Sequence, residues 1–106
     1  MWIFLNKAFL SVVAHRNKLD MLLVRARVAG DLERVFAGAV VTMTPSADHR
    51  FRAVIPREEA ARVLAKQVAA IDYPNFKDSV WEPDRHHAYF ASWRAMRAFQ
   101  LQGGST

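Results

Sequence analysis

Cysteine is missing from this 106-residue chain, which removes disulfides, thiolate metal sites and cysteine nucleophiles together. A chain without disulfides suits a reducing, cytoplasmic setting. Glycine is scarce, with only Gly30, Gly38, Gly103 and Gly104. Four scattered glycines build neither a Walker-type phosphate loop nor a dinucleotide fingerprint, and the H-E-x-x-H and G-x-S-x-G arrangements are absent as well. No uninterrupted apolar run approaches the length of a membrane span. The opening M-W-I-F-L-N-K lacks the cationic start of a signal peptide, and Asn6-Lys7 breaks its apolar run, so the chain reads as soluble and unprocessed. Repeats, low-complexity blocks and dividing linkers are missing too. Residues 1–101 are therefore expected as one domain and 102–106 as a flexible tail.

Acidic charge is in short supply. Fifteen Lys and Arg face ten Asp and Glu, a net charge of +5 and a pI near 10.2, which favours a polyanionic partner. The cations are spread along the chain, without the block of like charge that marks a disordered tail. Hydrophobic residues make up 52% of the chain, enough for a globular core at this length.

Periodicity sets the fold class. Met1–Leu5 is a short apolar run. Ala8–His15 alternates, with Phe9, Ser11, Val13 and His15 on one face and Leu10, Val12 and Ala14 on the other. Met21–Val28 repeats the pattern, with Leu22, Val24, Ala26 and Val28 opposite Arg25 and Arg27. One apolar side and one arginine side belong to an antiparallel sheet covered on a single face. A short helix from Asp31, as N-cap, to Phe36 comes next, ended by Gly38. Val40–Thr44 and His49–Ile55 read as a hairpin around Pro45–Asp48, with Phe51, Ala53 and Ile55 on one face and Arg50, Arg52 and Val54 on the other.

Pro56, Glu58 and Glu59 open a helix whose stripe is Ala60, Val63, Leu64, Val68 and Ile71. Asp72–Glu82 is loop, and Pro83 starts a last helix to about Leu101. The order β-β-β-α-β-β-α-α predicts an α+β fold, an antiparallel sheet of about five strands with helices packed on one face.

Three groups of residues bear on chemistry. His15, Arg25, Arg27, Arg50 and Arg52 fall on the polar sheet face, where guanidinium groups offer bidentate donors to phosphate. Solvated arginines that cover apolar surface with their stems look the same from the sequence. In Asp72–Lys77, Asp72 and Asn75 can build a tight turn that Tyr73 and Phe76 anchor, or Tyr73 and Lys77 can point outward to bind phosphate or a partner. The third group is Arg85, His86 and His87, with Arg94 further along the same helix. Adjacent helical histidines project about 100° apart and do not readily share a metal. His86 is expected to bond a backbone group or an Asp, and His87 to be exposed. The binding residues expected are therefore His15, Arg25, Arg27, Arg50, Arg52, Tyr73, Lys77, Arg85, His87 and Arg94, with no metal or cofactor.

Four blocks carry a resemblance: F-L-S-V-V-A-H-R (9–16), L-L-V-R-A-R (22–27), I-D-Y-P-N-F-K-D-S-V (71–80) and R-H-H-A-Y (85–89). With them the chain resembles a family of small uncharacterised bacterial and phage proteins. The resemblance implies a compact accessory protein and adds no catalytic residue. Phage proteins of this size include inhibitors of host defence, anti-CRISPR proteins among them.

The leading expectation is a non-enzymatic protein that engages nucleic acid, or a nucleic-acid-handling complex, through its basic face, as a counter-defence inhibitor would. The enzymatic alternative is a metal-independent phosphodiesterase or ribonuclease using His15 or His86 with arginines. A third expectation is a homo-oligomer that buries Trp2, Phe4 and Trp81. No membrane partner is expected.

Overall fold

A computed structural model describes residues 1–104. Residues 105 and 106 of the expected tail lie outside the described residues. The chain divides into two compact units, the first Met1–Asp72 and the second from Tyr73 on. Among the described residues no helix is long and apolar enough to cross a membrane.

The first unit is built on a five-stranded, wholly antiparallel sheet in the order β1-β2-β3-β5-β4. Its strands are β1 (Trp2–Leu5), β2 (Ala8–Ala14), β3 (Met21–Ala26), β4 (Thr42–Met43) and β5 (Phe51–Pro56). Two helices belong to the unit, α1 (Asp31–Val35) and α2 (Arg57–Ala69). The fold is α+β, as the alternation predicts.

The sheet has two unlike faces because side chains alternate along each strand. Leu10, Val12, Val24, Ala26, Ala53 and Ile55 make the inner face, packed with Leu32 and Phe36 from the α1 region and Ala60 from α2. Val63 and Leu64 support this core from the next turn of α2. The expected stripe of α2 does not extend further, since Val68 and Ile71 are more than half exposed. Val28 likewise falls beyond β3 and is half exposed.

Asp31 is not the cap of α1. Gly30 takes that position at φ 88°, a left-handed conformation that glycine adopts without strain, and no side chain caps the helix. Asp31 is instead fully buried, its carboxylate accepting the Phe9 N–H at 3.0 Å and the Arg34 guanidinium at 2.8 Å. A carboxylate aimed at a strand N–H replaces local capping with a tertiary tie between α1 and β2.

The second unit consists of a 3₁₀ turn at Lys77–Ser79 and the helix α3 (Pro83–Phe99). A π-type turn follows α3 at Gln100–Gly104, with Gly103 outside helical geometry. Pro83 sits at the start of α3, where a missing N–H is harmless. Phe76 anchors the segment before it, stacked on Tyr89 at 5.7 Å between centroids and tilted against Tyr73 at 5.7 Å.

Candidate functional site

Strand register brings one row of side chains across the outer face of the first unit. Trp2 pairs with Ser11, Ser11 with Arg25, Arg25 with Arg52, and Arg52 with Thr42. The row crosses all five strands. Its centre places Arg25 and Arg52 at paired positions of neighbouring strands, and paired like charges destabilise a sheet when no opposite charge intervenes. No carboxylate among the described residues lies within ion-pair distance of Arg25 or Arg52. Arg25 donates through Nη2 to Ser11 Oγ at 2.9 Å, while its Nε is buried without a partner. Arg52 donates through Nε to the His49 carbonyl at 3.3 Å.

One end of the row is aromatic. Phe4 pairs with Phe9 across β1 and β2, their rings 4.7 Å apart, and Trp2 meets Phe9 edge-on at 6.0 Å. Trp2 is 66% exposed, so one face of the indole is open to solvent. The sequence places Phe9 on this face, and a two-residue turn at Asn6-Lys7 could have added Phe4 and Trp2. Such a turn sets Leu5 opposite Ala8 and hence Phe4 opposite Phe9.

The other expected residues of this face are placed differently. Arg27 lies just beyond β3 and is engaged by Asp48, donating through Nη1 to its carbonyl at 2.9 Å and to Oδ1 at 3.2 Å. Arg50 precedes β5 and is exposed. His15 is four residues along β2 from Ser11, about 13 Å at the usual rise, and serves the β2–β3 turn. Its Nδ1 accepts the N–H groups of Asn17 and Lys18, both at 3.1 Å. Arg25 and Arg52 are thus the two expected cations that the register sets side by side within the row, on neighbouring strands.

His49 is the residue that sequence reasoning missed. Expected inside a strand, it falls before β5, is almost fully buried, and neither ring nitrogen has a hydrogen bond. Asp48 Oδ2 stands 3.6 Å from Nδ1. Burial holds the His49 pKa below its ordinary 6.5, repulsion by Arg27, Arg25 and Arg52 adds to this, and Asp48 opposes it. Arg27 also holds the Asp48 carboxyl below the usual range, through its hydrogen bond and its charge.

The sign of the pH effect follows. Below 6.5 the unfolded chain protonates this imidazole and the folded chain resists, so stability present above 6.5 is lost as pH falls. The urea midpoint should drop from about pH 7.5 to about pH 5.5, and His49→Gln should flatten that drop. An equally steep profile in the variant would assign the effect to other groups.

In the second unit, Lys77 Nζ lies 3.9 Å from the Trp93 ring centroid and 5.4 Å from that of Phe90. These are cation–π contacts. Tyr73 is half-buried against Phe76, and Asn75 Oδ1 accepts the Asp78 N–H at 3.1 Å, the turn closure its position suggests. Arg85 is buried and donates to Glu82 Oε1 at 3.4 Å and to the Tyr89 hydroxyl at 3.3 Å, so it does not point to solvent. His86 Nδ1 donates to the Val80 carbonyl at 3.2 Å, while His87 and Arg94 are exposed. Among the described residues no three His, Asp or Glu side chains gather as metal ligands do.

The fold and site together define an α+β protein with an open, antiparallel five-stranded sheet, arginine-rich and aromatic on its outer face. The chain matches no protein-family model, no curated protein and no solved structure.

Proposed function

We propose that the outer sheet face of the first unit binds single-stranded nucleic acid, with phosphate on Arg25 and Arg52 and a base on Trp2. The observation that carries this reading is the row Trp2–Ser11–Arg25–Arg52–Thr42. It sets an exposed indole in line with two guanidinium groups that have no carboxylate to neutralise them. A phosphate between the two arginines relieves their repulsion through charge-assisted, bidentate hydrogen bonds.

The aromatic end narrows the class of anion. A simple anion gains little from rings, whereas an unpaired base stacks on them, and single strands are bound by this combination of cationic track and aromatic platform. A duplex keeps its bases stacked inside and gains only the phosphate contacts. A complex that displays an unpaired strand offers the same chemistry.

The test is fluorescence anisotropy of a labelled single-stranded oligonucleotide at low salt, with Trp2→Ala beside the parent. Loss of one stacked base costs about 1–3 kcal/mol, roughly a 5- to 150-fold weaker Kd. Trp2 is exposed, so the variant should fold as the parent does. No binding by the parent, or an unchanged Kd in Trp2→Ala, would sink the reading.

A further inference from the structure

We infer that protonation of His49 is coupled to phosphate binding at Arg25 and Arg52, so that the outer sheet face holds a single strand more tightly as pH falls. The coupling rests on the single-strand reading of that face and adds a regulator to it.

The state of the imidazole is the first argument. His49 is 3% exposed, and both of its ring nitrogens are buried without a hydrogen bond. Nε of Arg25 is buried without one as well. Buried polar groups are nearly always paired, and an exception calls for a reason, a binding or protonation event among them. The carboxylate beside the ring, Asp48, has its Oδ2 3.6 Å from Nδ1, beyond hydrogen-bond length. No acceptor therefore holds a proton on this ring, and it is neutral at neutral pH.

Charge supplies the link. Arg27 just beyond β3, Arg25 on β3 and Arg52 on β5 all act on the ring, against one carboxylate, Asp48. Arg52 is tied to the residue itself, its Nε donating to the His49 carbonyl at 3.3 Å. Asp48 is shared with Arg27, whose hydrogen bond and charge keep it ionised in weakly acidic solution. A proton on His49 thus adds a fourth positive charge beside a single negative one. Phosphate held by Arg25 and Arg52 brings negative charge to the same cluster, and the cost of the proton falls. Coupling of this kind is reciprocal: the factor by which phosphate favours the proton is the factor by which the proton favours phosphate.

A bound strand also covers the surface, and loss of water disfavours an imidazolium. That effect is small here, because a ring only 3% exposed has little water left to lose. The added negative charge therefore decides the sign. His15 offers the contrast, since its Nδ1 is occupied by the N–H groups of the β2–β3 turn.

The test uses the full chain and a labelled oligothymidylate, whose bases and phosphodiesters do not titrate in weakly acidic solution. In the parent, Kd should fall at least about 5-fold from about pH 7.5 to about pH 5.5, the lower end of ordinary coupling. His49→Gln should hold the change below about 2-fold, while His15→Gln should keep it. Circular dichroism at each pH confirms folding. A parent that binds equally well at both pH values overturns the coupling and leaves the single-strand reading standing. Equal pH dependence in the parent and His49→Gln also overturns it, as does loss of the dependence in His15→Gln, which traces it to overall charge. A second readout needs no variant. The His49 ring resonance of the parent, followed by NMR against pH, should show the proton bound at least about 5-fold more tightly in sodium sulfate than in sodium chloride of equal ionic strength. An unmoved midpoint overturns the coupling even where His49→Gln fails to fold. If the parent binds no oligothymidylate at any pH, the single-strand reading fails, and the sulfate comparison alone decides the coupling.

Discussion

Asp31→Ala is expected to destabilise the first unit by about 2–3 kcal/mol, the cost of removing a charged acceptor and leaving a strand N–H without a partner. Asp31 is fully buried and links two elements, accepting the Phe9 N–H of β2 and the guanidinium of Arg34. Alanine leaves the Phe9 N–H without its acceptor and Arg34 without its near carboxylate, and it opens a small void under α1. The α1 helix has only five residues, too few to persist by its own hydrogen bonds, so its position depends on this tie and on Leu32. Since small domains are stable by only about 5–15 kcal/mol, that is a sizeable share of the margin. Asp31→Asn keeps an oxygen for Phe9 and loses only the charge, so its loss should be about half as large. Urea melts of the three proteins check this; a loss in Asp31→Ala below about 1 kcal/mol would show that the carboxylate is dispensable.

Much of the fold was legible because strand alternation reports burial directly. Leu10 and Val12, then Val24 and Ala26, then Ala53 and Ile55 are inner-face residues at period two, and all are buried. The hairpin turns and the proline before α2 are similarly local signals. Three details depended on tertiary contacts instead. Asp31 has the chemistry of an N-cap and is held by a strand N–H. Val68, near the end of α2, and Ile71, beyond it, continue the helical period in the sequence but are more than half exposed. His49 reads as one more strand residue, and nothing local tells of its burial among arginines from β3 and β5.

The candidate site was half legible for the same reason. Residue types and faces put Arg25 and Arg52 on the outer side, but which arginine stands opposite which depends on the pairing of β3 with β5. That register selects Arg25 and Arg52 and leaves Arg27 to Asp48. His86 behaved as its helix-start position suggests, donating to a backbone carbonyl. The expectation of a phage counter-defence role rests on the resemblance alone and receives no residue from the geometry.

Replacing both Arg25 and Arg52 with methionine is expected to weaken single-strand binding about 100-fold while changing stability by less than about 1 kcal/mol. Methionine retains an apolar stem against the sheet and removes the charge, so packing by the arginine stems is largely kept. Two opposing changes then act on folding. The Ser11 hydroxyl and the His49 carbonyl each lose a donor, which costs stability, and the like-charge repulsion between the paired Arg25 and Arg52 disappears, which restores it. Binding has no such compensation, because both phosphate contacts vanish. The salt dependence separates this from a general loss of fold: each phosphate contact removed should lower the slope of log K against log salt by about 0.7 for a single strand, about 1.4 for the pair. Arg50→Met, at an exposed position before β5, removes one positive charge without touching the row, and should leave the slope nearly unchanged. Equal losses from Arg50→Met and from the row variants would mean that net charge, and not the register of β3 on β5, governs binding.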